Sequence, residues 1–156
     1  LGLREASRTQ GLVEALGAYL DKYAQQSGLA VELESTLDGD LSLPAASEIQ
    51  VIRVIQEALT NVRKHARATR ARVRIATSEP GTMTILVEDD GRGFDPSALP
   101  GSRDGGYGLQ TMRERMQLAG GSLRIDSRPG GGTRVIAVLP DGSRQRRGDG
   151  MLAAPN

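Results

Sequence analysis

Residues 54–66, VIQEALTNVRKHA, carry the clearest alternation of apolar and polar positions in the chain. At about 100° per residue, Ile55, Leu59, Val62 and Ala66 fall on one helical stripe. Glu57, Asn61 and Lys64 fall on a second stripe, roughly opposite. The pattern predicts a helix over about 46–67, just after Pro44. An earlier helix is predicted over 11–28, where Leu12, Leu16, Tyr19, Leu20 and Tyr23 share helical spacing and Gly28 supplies a stop. A third runs over about 109–119, with Leu109, Met112, Met116 and Ala119 inward and Gly120-Gly121 ending it.

The remaining patterned segments alternate with period two. Residues 31–34, VELE, read as a short strand, and a polar turn follows through 38–40. Residues 71–78 and 82–89 are joined by Glu79-Pro80-Gly81, a hairpin signal. In the first of these, Val73, Ile75 and Thr77 share one face while Arg72 and Arg74 take the other. A second hairpin joins 122–127 to 133–139 around the RPGGG run at 128–132. Strands with one polar face expect water on that side. The helices therefore gather on the other, giving an α/β (α+β) two-layer sandwich. Hairpins dominate the second half, so a doubly wound sheet is excluded. No internal repeat is visible, and the polar, Gly-rich stretch 141–156 reads as a disordered tail.

Composition narrows the picture further. A chain of 156 residues, 38% hydrophobic and 25% charged, fits one soluble globular domain with a real core. Nothing approaches the ~18–20 continuous apolar residues of a membrane span, and no secretory signal is visible, so no direct membrane contact is expected. A net charge of +1 makes no general case for nucleic acid. With only 3% aromatic residues there is no stacking platform for single strands either. The absence of cysteine excludes disulfides and thiolate metal sites and agrees with a cytoplasmic location. A single histidine, His65, excludes a two-histidine metal site.

Three segments carry candidate chemistry. A helix with one polar face is ordinarily a solvated surface helix. Yet Glu57, Asn61 and Lys64 could together hold a divalent metal and a polyphosphate. In EDDGRGFD, residues 88–95, strand phase is informative: Asp89 shares the parity of Met83, Ile85 and Val87, so it points inward, while Glu88 points outward. An inward carboxylate needs a hydrogen bond. Either Asp89 caps the Gly91-Arg92-Gly93 turn, or it accepts from a buried ligand donor such as an exocyclic amine. On the second reading Gly91 and Gly93 let the chain turn sharply and approach that ligand. In GGYGLQTMRERM, residues 105–116, Gly105, Gly106 and Gly108 precede a helix, where backbone N–H groups and the helix dipole attract phosphate. Glycines there are also common as plain connectors. Neither a GxxxxGK[ST] loop nor a GxGxxG fingerprint is present. Between them, residues 96–105 have the composition of a mobile lid.

These segments, in this order, resemble the ATP-binding catalytic domain of bacterial sensor histidine kinases, within the group shared with gyrase B, Hsp90 and MutL. The similarity is greatest to the nitrate/nitrite-sensor and DesK-like branch, with its QEALTN..KHA, D-x-G-x-G-F and G-x-GL..M.ER pattern. Gln56 to Asn61, Lys64 to Ala66, Asp89 to Phe94, and Gly106 to Gly108 with Met112, Glu114 and Arg115 carry the match. Gly132-Thr133 resembles the family's GT before its last strand. The resemblance covers about 11–140 and implies a mixed, largely antiparallel sheet with helices on one face, the Bergerat-type fold. It assigns Asn61 to a Mg²⁺ ion on the triphosphate and Glu57 to a water or attacking group near it. Lys64 and His65 face the phosphates, and Asp89 takes the adenine amine. Gly91 and Gly93 shape that pocket with Thr133, while Gly106, Gly108 and the following Leu109 complete the ATP-binding set.

The implied activity is transfer of the γ-phosphoryl of Mg·ATP to a histidine of a dimerisation domain of the same kinase, then to a response regulator. Kinases of this branch carry that histidine upstream, whereas no histidine here precedes His65. The expectation is thus an excised catalytic domain over 11–140, with 1–10 a linker remnant. It would lie in the cytoplasm, alone or as part of a membrane-bound sensor. Two rivals share the nucleotide site: a serine protein kinase of the anti-sigma-factor type, and a nucleotide-binding interaction module without catalysis.

Overall fold

The computed structural model describes residues 2–37, 43–79, 81–98 and 106–140. The turn expected at 38–40, most of the expected lid (99–105) and the tail at 141–156 lie outside the described residues. Helix α1 spans Gly2–Ser27, β1 Ala30–Thr36 and α2 Ala45–Asn61. Strands β2 (Arg70–Glu79) and β3 (Thr82–Asp89) follow, then a short 3-10 turn at Pro96–Ala98. Helix α3 (Gly106–Leu118), β4 (Ser122–Ser127) and β5 (Thr133–Pro140) complete the order.

The five strands form one sheet in the order β1-β2-β3-β5-β4. β1 runs parallel to β2, and the other pairs are antiparallel, so the sheet is mixed and largely antiparallel as expected. Its inner face carries Val73, Ile75, Met83, Ile85, Val87, Val135, Ala137 and Leu139, all buried. Against it pack Leu12, Leu16 and Leu20 of α1, Val51, Ile55 and Leu59 of α2, and Met112 and Met116 of α3. Each such fully buried aliphatic side chain contributes ~1.5–3 kcal/mol relative to exposure. Tyr23 of α1 adds a polar tie to this layer: its buried hydroxyl donates to the Leu59 carbonyl at 2.7 Å. Burial pushes that hydroxyl's pKa up to about 12, so it remains a donor.

The outer face is charged and exposed, as the alternation of Arg72 and Arg74 predicts. One row crosses all five strands as Glu32, Arg72, Glu88, Arg134 and Asp126, with alternating sign. Glu88, the least exposed of them, pairs with Arg72 at 3.3 Å and Arg134 at 3.1 Å. Exposed pairs of this kind are individually worth little. Their joint effect is to keep this face wetted and the other dry.

Three boundaries differ from the sequence reading. Helix α1 starts at Gly2, not near residue 11, because LREASRTQ is rich in helix formers and one interior Gly11 does not stop a helix. Helix α3 begins at Gly106, so Gly106 and Gly108 belong to its first turn. The third is the end of the motif helix: the regular α2 stops at Asn61, and Val62–Ala66 continue as a π-helical turn closed by Arg67 in the left-handed region, φ 50°. The exit of α3 is as expected. Gly120 (φ 81°) donates to Gln117 and Gly121 to Met116, capping the last carbonyls.

Candidate functional site

A cavity of about 200 Å³ opens between the π turn and the sheet. Its floor is Val87 and Asp89 of β3 with Thr133 and Val135 of β5. One wall is Ala58, Asn61, Val62, His65 and Ala66. Arg92, Gly93 and Phe94 form the rim, and Leu109 of α3 closes the far side. The lining is thus apolar with few polar groups, the usual make-up of a small-molecule site. A second depression of about 270 Å³ lies at the ends of β1, β2 and β3. Its acidic groups are already committed: Glu32 and Glu88 to Arg72, Asp90 to Thr69 and Arg70, and Asp89, which borders both depressions, to the Gly91 N–H.

The π turn decides which side chains of the motif reach the cavity. An i→i+5 turn is wider than an α turn, so the residue four beyond Asn61 comes onto its face more fully than the residue three beyond. His65 accordingly lines the cavity beside Asn61, while Lys64 is exposed and outside the wall. The stripe read as Glu57, Asn61 and Lys64 becomes Glu57, Asn61 and His65. Glu57 is half-buried and also outside the cavity wall. It meets the first turn of α3: a Cβ on Gly108 would lie 2.8 Å from Glu57 Oε1 and 3.4 Å from Asn61 Nδ2. Gly108 therefore lets the start of α3, where backbone N–H groups point out of the helix end, rest directly on these two side chains. Gly106 opens that helix.

Asp89 points to the inner face, half-buried at the cavity floor. Its Oδ1 accepts the Gly91 N–H at 2.8 Å, so the turn-capping role is present together with a place in the cavity. Burial raises its pKa above the usual carboxylate value. The Gly91 N–H opposes this, the neighbouring Asp90 charge adds to it, and the Thr133 N–H again opposes it. Asp90, beyond the end of β3, turns outward instead. It accepts the N–H groups of Thr69 (2.8 Å) and Arg70 (2.9 Å) and the Thr69 hydroxyl (2.5 Å), which hold its pKa down at about 2. It clamps the start of β2 to the end of β3.

The glycines of the turn answer to backbone neighbours. A Cβ on Gly91 would sit 2.2 Å from the Ala66 carbonyl oxygen, and the Arg92 N–H donates to that same oxygen at 2.6 Å. Gly93, at φ 61°, would meet the Arg128 carbonyl at 2.0 Å. The expectation that these residues make room for a ligand is thus corrected in part: Gly93 borders the cavity, but both positions are small because the π turn and the β4–β5 connection press against them. Sequence reasoning also passed over Arg92, Phe94 and Ser127. Ser127 shares the inward parity of Leu123 and Ile125, the same signal that singled out Asp89.

An inward carboxylate, an apolar cleft beside a helix, and a glycine-bearing helix start against a Glu/Asn pair together make a site for a small molecule with an apolar body and polar ends. Residues 46–143 match the histidine kinase-, DNA gyrase B- and HSP90-like ATPase family, and the chain belongs to it. A sensor-like histidine kinase of Chloroflexus aurantiacus is 38% identical over 85% of this chain and 23% of its own length. The signal transduction histidine-protein kinase/phosphatase DegS of Brevibacillus brevis is 33% identical over 83% of this chain and 32% of its own. The nitrate/nitrite sensor NarQ of Escherichia coli is 35% identical over 80% and 21%. The chain spans about a fifth to a third of the length of these relatives. Among solved structures, the histidine kinase domain of an Erythrobacter litoralis blue-light activated kinase superposes with TM-score 0.69 at 24% identity, covering 86% of this chain and 63% of that one. The catalytic domain of the histidine kinase ThkA gives 0.64 at 14% identity, covering 85% and 91%. These likenesses establish the fold.

Proposed function

We propose that this domain binds Mg·ATP in the cavity and donates the γ-phosphoryl group to a histidine on the dimerisation domain of its own sensor kinase, which then serves a response regulator. The observation that carries the reading is the pairing of the Asp89 carboxylate at an apolar floor with Asn61 and Glu57 under the first turn of α3. A flat, donor-bearing base fits the former, and a metal-bound polyphosphate fits the latter. Phosphoryl transfer depends mainly on positioning and charge neutralisation, so no protein nucleophile is required. Asp89 accepts the adenine amine, Thr133 supports the ring, and Val87 and Val135 exclude water beneath it. Asn61 supplies a metal-ligating oxygen, and Glu57 orients a water or the attacking group. His65, together with the N–H groups at Gly106 and Gly108, faces the phosphates.

The donor set suits Mg²⁺. Among the described residues no group of three or more His or acidic side chains could hold a metal. One amide oxygen beside a carboxylate matches an ion that keeps its waters and takes few protein ligands alongside phosphate. When bound, Mg²⁺ neutralises charge on the phosphates. Among the described residues no helix is long and apolar enough to cross a membrane. A cytoplasmic position, where ATP is available, follows from this reading.

The test is transfer from labelled ATP. The chain alone is expected to bind nucleotide and accumulate no stable phosphohistidine, because His65 sits in the pocket wall and cannot approach the γ-phosphoryl from outside. Adding a dimerisation domain with its acceptor histidine gives acid-labile, base-stable label on that partner. Acid-stable label on a serine of a protein substrate would instead identify the anti-sigma-factor type of kinase.

A further inference from the structure

Ser127 ends β4 on the inward face, next to the cavity but outside its lining. Its Oγ makes three contacts. The Phe94 N–H donates to it at 2.9 Å, it donates to the Gly132 carbonyl at 3.0 Å, and it lies 2.8 Å from Thr133 Oγ1. A serine hydroxyl has one hydrogen and two lone pairs. The Gly132 carbonyl can only accept, so the single Ser127 hydrogen is committed there. The Phe94 N–H takes one lone pair. The contact with Thr133 is then a bond in which Thr133 donates and Ser127 accepts, and Ser127 is saturated.

The consequence falls on Thr133. Its side chain has the inward parity of Val135, Ala137 and Leu139, and it lines the cavity opposite Asp89 in the β3–β5 register. With its only hydrogen held by Ser127, its oxygen keeps lone pairs alone for a ligand. Asp89 is likewise an acceptor. We infer that Ser127 is a positioning residue that fixes the polarity of the Thr133 hydroxyl, so that the Asp89–Thr133 pair offers a ring substituent acceptors only and selects an amine over an acceptor oxygen at the same position. The same bonds join three segments of the site, the turn at Phe94, the β4–β5 connection at Gly132 and the start of β5. This inference rests on the ATP reading above and assigns part of its base selectivity to a residue that does not touch the base.

The experiment compares ATP with 6-methoxypurine riboside triphosphate, in which the 6-amine is replaced by an acceptor-only oxygen while N1 stays an unprotonated acceptor as in adenine, by calorimetry on the chain. Wild type is expected to prefer ATP. In Ser127→Ala the Thr133 hydroxyl is released and can turn its hydrogen to the 6-oxygen, while any bond it gains to N1 is common to both nucleotides and cancels in their ratio. The ratio of ATP affinity to that of the methoxy analogue is expected to fall roughly five- to tenfold, the scale of one neutral hydrogen bond. Ser127→Thr keeps the hydroxyl and restores the ratio. A folding defect alone weakens both nucleotides together and leaves the ratio unchanged. That result, or an unchanged ratio with full affinity, overturns the inference while the ATP reading stands. If Ser127→Ala does not fold, Ser127→Cys, with a weakly bonding thiol of similar size, carries the same comparison. Failure of the wild type to bind ATP at all overturns both readings.

Discussion

Replacing Asp89 by Asn separates what this side chain does for the fold from what it does for a ligand, because the two effects have opposite signs. Asn keeps the shape and an amide oxygen in place of Oδ1, which still accepts the Gly91 N–H at 2.8 Å. What is lost is charge. Burial, resisted by the Gly91 N–H and reinforced by the Asp90 carboxylate, raises the Asp89 pKa above 3.8. A carboxylate with a raised folded-state pKa subtracts from stability as pH rises from its unfolded value through its folded one. At neutral pH the Asn variant is therefore expected to melt no lower than wild type, with any advantage fading as pH falls through the raised folded-state pKa toward 3.8 and absent below it. Binding moves the other way. A charge-assisted hydrogen bond to a ligand amine is worth ~1.5–3 kcal/mol, so ATP affinity is expected to fall about 10- to 150-fold. Thermal melts across pH and calorimetric titration with ATP read the two effects on one sample. Unchanged affinity would reduce Asp89 to a turn cap. A large drop in melting temperature at pH 7 would show that its charge serves the fold and refute the reasoning.

Three further substitutions probe the frame around it. Arg67→Gly should raise stability by about 0.5–1 kcal/mol in chemical denaturation, because relief of left-handed strain at φ 50° exceeds the added chain entropy. A loss would mean that the Arg67 side chain holds the π turn. Asp90→Asn should flatten the acid limb of the stability curve. The Asp90 pKa is depressed to about 2, so its contribution is present above 3.8 and disappears as pH falls from there through about 2. An unaltered acid limb would remove Asp90 as the clamp on β2. Gly91→Ala places a Cβ 2.2 Å from the Ala66 carbonyl oxygen, with backbone on both sides, and should cost on the order of 3 kcal/mol or more. A stable, ATP-binding Gly91→Ala variant would show that the π turn and the β3 exit can separate.

Period-two and helical alternation made the layers readable. Each strand displays one apolar face, and the residues on it (Val73, Ile75, Met83, Ile85, Val87) are the ones the helices cover. Parity also oriented Asp89 and Glu88 to opposite sides, and the structure keeps them there. The same test applied to β4 would have exposed Ser127 as a polar residue on an inward face. The parallel pairing of β1 with β2 was less legible, because VELE and ARVRI alternate equally well in either direction. The π turn was not legible from residues 54–66. Ile55, Leu59, Val62 and Ala66 bury well in either register, and Lys64 and His65 are both polar, so neither stripe distinguishes the wider turn from a regular one. That ambiguity left Lys64 and His65 both assigned to the phosphates, and of the two only His65 lines the cavity.

The glycines show why motif content and site chemistry must be read separately. Position 91 is filled by the Ala66 carbonyl, position 93 by those of Arg128 and Gly132, and position 132 by that of Asp89. Each turn around the cavity thus occupies the space a side chain would take on the next one. The Arg92 carbonyl, accepting from the Gly130 N–H at 2.6 Å, fastens the rim to the β4–β5 connection. Main-chain interlocking of this kind demands small residues whatever the ligand is, and so Gly91, Gly93 and Gly132 report on a scaffold. Selectivity is left to the few polar side chains that the scaffold points into an apolar cleft. A glycine variant should therefore lose stability and all ligands together. Variants of Asp89 or Ser127 should instead keep the fold and change which ligand is preferred, and those are the positions at which recognition can be altered without dismantling the site.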